Sequence, residues 1–128
     1  MLRLASVILA ASVPMIQAAV GDEVHHNAFV DAAVGSWAQR AELCGTNDKS
    51  NVTIAAKTFT DADGNCSVET IVERAGEPGP IYSARGRCTD ASGKFHAANL
   101  IVRTEANGGH SIGTTFGDLK PYQRCPAH

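Results

Sequence analysis

The chain has 128 residues, 13 acidic and 11 basic, for a formal net charge of −2, with both signs mixed along its length. That distribution excludes a basic stripe for nucleic acid and a polybasic patch for anionic lipid. Aromatics are only 5% while alanine, glycine and threonine abound, which suits short strands and tight turns rather than a leucine-periodic helical bundle.

The first predicted element is a secretory signal peptide over residues 1–19. Arg3 supplies the positive start, residues 4–11 the apolar run, and Pro14 breaks that run before a small-residue exit at Ala18 and Ala19. A membrane span needs about 20 uninterrupted apolar residues. Pro14 and Gln17 leave this run too short, so no membrane insertion is expected after cleavage. The first cysteine is Cys44, too far from the exit to carry a lipid. A periplasmic or secreted protein follows from these features.

Residues 20–34 read as a lead-in. The alanine-rich stretch 24–43 is weakly helical in pattern and interrupted by Gly35. From 35 to 128 the sequence predicts one domain, all-β, an antiparallel meander or small barrel of about six strands. Strands are expected over 52–59, 66–73, 81–88, 94–104, 110–116 and 119–125. Asp61-Ala62-Asp63-Gly64, the Pro/Gly loop 76–80, the turn 90–93 and Asn107-Gly108-Gly109 separate them.

Four cysteines in an exported chain of this size imply two disulfides, with three possible pairings. Folding strands 66–73 and 81–88 about the loop between them sets Cys66 opposite Cys88, on a face shared with Val68, Val72, Tyr82 and Ala84. The same register sets Glu69 opposite Arg85 and Ser67 opposite Arg87 on the other face. Cys44 and Cys125 then join the entry of the domain to its last strand. The chain-entropy model assigns about 3.4 kcal/mol to the short loop and about 4.5 kcal/mol to the long one, so the long bridge is expected to matter more. Structural zinc sites present close cysteine pairs, whereas here 21, 21 and 36 residues intervene, and the C-x-x-C pair of a redox site is missing as well.

Asp61, Asp63, Asn65 and Glu69 match four oxygen positions of a calcium loop, but Cys66 and Val72 stand where its glycine and its bidentate glutamate belong. An acidic hairpin turn is the reading adopted. His25 and His26 fall in the lead-in, His128 ends the chain, and His96 and His110 lie at opposite ends of a predicted hairpin, which predicts no metal site. No nucleophile elbow surrounds Ser36, Ser83 or Ser111, and no paired carboxylates can be assigned to one cleft, so neither catalysis nor a cofactor is expected. Asn51-Val52-Thr53 and Asn65-Cys66-Ser67 satisfy the glycosylation sequon. Trp37, the one tryptophan, is expected to plug an end of the barrel beside a disulfide.

The pattern Gly35-x-Trp37, Cys44, Phe59, Cys66-x-Val68, Tyr82, Cys88, Phe95, Ile101, Tyr122-x-Arg124-Cys125 resembles small exported proteins of Gram-negative bacteria with a Trp and four spaced cysteines. Through Gly-x-Trp and the disulfides it is also similar to the small periplasmic β-barrel inhibitors of lysozyme and of proteases. The lysozyme-inhibitor group carries a Ser/Gly/Tyr loop, of which Ser83-Ala84-Arg85-Gly86-Arg87 lacks the tyrosine. The expected function is a protein-binding module for an envelope or host protein, working through the loops 61–65, 76–80 and 107–109. The alternatives are a small-ligand or metal-binding carrier and a structural protein of the envelope.

Overall fold

A computed structural model describes residues 23–127; the expected signal peptide lies outside them. Among the described residues nine strands occur in chain order: β1 Val24–His26, β2 Gly35–Ala38, β3 Val52–Ile54, β4 Thr58–Asp61, β5 Gly64–Arg74, β6 Ile81–Thr89, β7 Phe95–Thr104, β8 His110–Gly113 and β9 Lys120–Arg124. From β2 to β9 each strand pairs antiparallel with the next, and β9 returns to β2, closing an eight-strand up-and-down barrel. β1 pairs with the lower half of β5, outside the closed circuit. The all-β antiparallel class expected from the sequence is therefore the class observed.

Two regions differ from expectation in detail. Residues 52–59 form two short strands separated by a tight turn at 55–57, where Ala55 donates its N–H to Thr58 O at 2.9 Å. The stretch expected to be weakly helical holds β1 and β2 instead, with a single 3-10 turn at Ala41–Leu43. The adjacent Trp37 and Ala38 are both buried and gain more from burial against neighbouring strands than from local helix propensity.

The barrel interior is filled by its own side chains. Trp37, Ile54, Phe59, Ile71, Leu100 and Ile112 are all at most 2% exposed and belong to one continuous cluster. β6 shows how the sequence selects this packing: Tyr82, Ala84, Gly86 and Cys88 alternate inward, while Ser83, Arg85 and Arg87 face out. Gly86 is required, because a Cβ there would stand 2.7 Å from the Phe59 ring. The interior is then closer to a packed core than to a ligand chamber, which an eight-strand barrel can equally build.

Both expected disulfides are present, Cys66–Cys88 across β5 and β6 and Cys44–Cys125 between the β2–β3 connection and the end of β9. The predicted register holds from Cys66↔Cys88 through Val68↔Gly86 and then slips, with Thr70, not Glu69, facing Arg85. A β-bulge at Glu69 inserts one residue into β5, which turns Ile71 inward in place of Val72.

The lower end of the barrel is plugged by Trp37, as expected, and by the chain that precedes it. Trp37 Nε1 donates to Ala33 O at 2.9 Å, Phe29 N donates to Ala56 O at 2.7 Å, and Phe29 and Ala33 join the core cluster. Arg124 lies across the outside of this plug with its guanidinium carbon 4.6 Å from the Trp37 ring, and it donates to Val34 O and, at 2.6 Å, to Ala32 O. Gly35 adopts φ +148°, where an L side chain is strained, and a Cβ there would also displace the guanidinium.

Loop length alone ranks the Cys44–Cys125 bridge first, but Cys66 and Cys88 are 2% and 0% exposed and fill core volume. Removing their sulfurs adds a void cost of about 1 kcal/mol each to the entropic loss. Urea unfolding should therefore show the Cys66→Ala/Cys88→Ala pair costing at least as much stability as Cys44→Ala/Cys125→Ala. A clearly smaller cost would mean that chain entropy alone sets the order.

Candidate functional site

Up-and-down connectivity divides the loops between two ends. The β4–β5 turn shares one end with the β2–β3, β6–β7 and β8–β9 connections, while the 76–80 and 107–109 loops lie at the other. The three candidate binding loops are thus divided between the two ends.

At the upper end an acidic cleft of about 690 Å³ lies between the 46–51 loop and the 61–63 turn, lined by Asp48, Lys49, Asp61 and Asp63. Its carboxylates are used in shaping the loops. Asp61 accepts the Asp63 N–H at 2.8 Å, and Asp48 accepts the Ser50 N–H at 2.9 Å. Burial raises the Asp61 carboxyl above its ordinary range, aided by the Asp63 charge, while the Ser50 hydroxyl holds Asp48 below it. The residues resembling a calcium loop form the predicted hairpin turn, Asp61 pairing with Gly64 and Thr60 with Asn65. Among the described residues no group of three or more His, Cys, Asp or Glu is placed to hold a metal ion. The barrel mouth beside the cleft, between Val52, Leu100, Ile112 and Tyr122, has a volume of about 150 Å³, below the roughly 300 Å³ at which small-molecule pockets begin.

Each described histidine occupies a separate place. His25 is exposed on β1, and His26 Nε2 lies 3.0 Å from Glu73 Oε1. His96 pairs with Cys88 near the upper end, and His128 lies outside the described residues. His110 is 7% exposed at the lower end, its ring 4.6 Å from that of Trp37, and its Nδ1 has no partner among the described residues. The sequon side chains are engaged: Asn51 donates to Leu43 O at 2.7 Å, and Asn65 accepts the Thr60 hydroxyl at 2.8 Å.

An apolar recess lies on the outer wall of β5, β6 and β7. About 410 Å³ in volume, it is floored by Val72, Ser83 and Ile101 and bordered by Arg85, Asn99 and Phe116. Ile101 faces outward yet is 5% exposed, because the chain leaving β8 turns back over it and projects Phe116, 55% exposed, at the rim. A second recess of about 320 Å³ continues across Arg85 to Arg87 and Phe95. Phe95 is 64% exposed, with the Arg87 guanidinium carbon 4.5 Å from its ring centre. Ser83–Arg87, set beside the inhibitor loop in the sequence comparison, runs mid-strand in β6 through this wall and does not protrude. The sequence reading missed the wall because it sought function in loops. The available signal was Ile101, an apolar residue in the outward register of Ala97 and Asn99.

Comparison of the chain with protein-family models, with curated proteins and with solved structures gave no match. The two disulfides point to an oxidising compartment outside the cytosol. Among the described residues no helix is long and apolar enough to cross a membrane.

Burial, and after it the Arg124 charge, depress the His110 pKa below its ordinary 6.5, with Gly108 and Glu105 opposing. The folded state then favours the neutral ring while the unfolded chain binds a proton near 6.5. The stability this contributes is present above that value and is lost as pH falls through it toward the folded-state pKa. Melting temperatures should therefore show the advantage of the parent over His110→Gln shrinking as pH drops below about 6.5. A gap that does not vary with pH would contradict this.

Proposed function

We propose that the chain is a protein-binding module exported to the periplasm or secreted, directed at an envelope or host protein in the manner of a small barrel inhibitor. One observation carries the reading: the exposed rings of Phe95 and Phe116 flank a continuous trough on the outer wall, while the barrel interior is occupied by side chains. Aromatic anchors beside arginines are the groups that dominate binding energy at protein interfaces. An occupied interior and a small mouth favour this reading over a carrier in the barrel, and at the acidic cleft Asp48 and Asp61 are already engaged in loop hydrogen bonds. Structural cross-links in a chain of this size suit a module that keeps its surface in an oxidising medium.

The oxidised protein on a column, challenged with envelope extract and host secretions, should retain one protein stoichiometrically. The Phe95→Ala/Phe116→Ala variant should lose that partner by about 2 kcal/mol or more of binding energy, with its melting temperature nearly unchanged because both rings are exposed. Retention unaffected by the double variant would remove the wall from the interface. An empty column together with a melting temperature raised by calcium or copper would replace this reading with the carrier.

A further inference from the structure

β7 is longer than its neighbour on one side. β6 pairs with it from Phe95 to Arg103, but β8 pairs only with Ile101–Thr104, so the stretch from Phe95 to Leu100 has no described strand along its second edge. The direction of its backbone groups follows from the ladder ends. Asp90 N donates to Lys94 O at 3.0 Å, and Thr104 N donates to Pro80 O at 3.1 Å. Both bonds join even-numbered residues of this segment to the β6 side, and antiparallel pairing alternates the side strictly. Phe95, Ala97 and Asn99 therefore direct their N–H and C=O groups away from β6, into the open edge. All three residues are exposed.

The face beside this edge carries a charge opposite to that of the whole chain. Arg85 and Arg87 project outward from β6, opposite Asn99 and Ala97. Among the described residues neither is ion-paired, unlike Arg74, which donates to Glu23 at 2.9 Å. Among the described residues Glu69, on the β5 bulge, is the one carboxylate lining the trough. The small side chain of Ala97 leaves Arg87 reachable from a strand added outside β7.

We propose that the open edge of β7 takes an extended acidic segment of the partner protein as an added strand. Backbone bonds to Phe95, Ala97 and Asn99 supply the pairing, and carboxylates at alternate positions of the segment bond the guanidinium groups of Arg85 and Arg87. The assignment rests on the binding-module reading and names its partner's chemistry. A second copy of this chain is disfavoured, since its own arginines would face these.

The test uses the oxidised protein and a short blocked peptide of alternating glutamate and valine, with a lysine–valine peptide as control. Amide exchange should slow by about tenfold or more at Phe95, Ala97 and Asn99 with the acidic peptide, and not with the basic one. Amides already bonded to β6, such as that of Ala98, should not change. Arg85→Gln/Arg87→Gln should weaken binding about tenfold at an unchanged melting temperature. Ala97→Pro, which deletes an N–H from the open edge alone, should abolish binding; if that variant does not fold, the glutamine pair still decides. Binding of both peptides alike, or none with free exchange at these amides, overturns the proposal. Protection that grows with protein concentration without peptide assigns the edge to a second copy and overturns it too. A captured protein that protects amides elsewhere and ignores the glutamine pair overturns the edge assignment but leaves the binding module standing; a captured protein that protects no amide at all removes both.

Discussion

The barrel closes through a short seam between its first and last strands, and Arg124 lies across that seam. β2 and β9 pair through two residue pairs only, Trp37↔Arg124 and Ala38↔Gln123, whereas β5 and β6 pair along nearly their whole lengths. Two ladder pairs cannot by themselves offset the entropy of bringing together strands so distant in sequence. The guanidinium adds a cation–π contact with Trp37 and bonds to the carbonyls of Ala32 and Val34, fastening the plug, the first barrel strand and the last one in a single contact. Cys125, the next residue, donates its N–H to Ser36 O at 2.7 Å and carries the disulfide to Cys44. Covalent and electrostatic closure thus meet within two residues.

The two sides of the barrel do different work. On the seam side the strands are short and are occupied with closure. On the far side β5, β6 and β7, of 11, 9 and 10 residues, form a continuous wall longer than closure needs. The buried Cys66–Cys88 bridge stiffens this wall from within. Its outer surface holds the trough, the exposed phenylalanines and the unpaired arginines. A rigid element presents such groups at low entropic cost, which is what the proposed binding role requires.

Much of the scaffold was legible because it follows from local periodicity. Alternation and turn residues located the strands from 66 onward, and the opposition of Cys66 and Cys88 in one hairpin identified both bridges. What escaped was whatever depends on partners far along the chain. The β2 strand has only four residues and an alanine-rich context, and its identity comes from pairing with β3 and β9. The bulge at Glu69 leaves no distinctive residue type in the sequence, so the reversal of Ile71 and Val72 could not be read. The outer trough was partly legible, since Ile101 breaks the polar side of the β7 alternation. The fold-back of Phe116 over it is tertiary and had no local sign.

Native-state amide hydrogen exchange on Arg124→Gln beside the parent is the most direct test of the seam. If Arg124 closes the barrel, exchange at the amides that cross the seam, Ala38, Gln123 and Cys125, should rise by about tenfold or more while the β5–β6 amides keep their protection. An equal rise in every strand, or no change at the seam, would contradict the account.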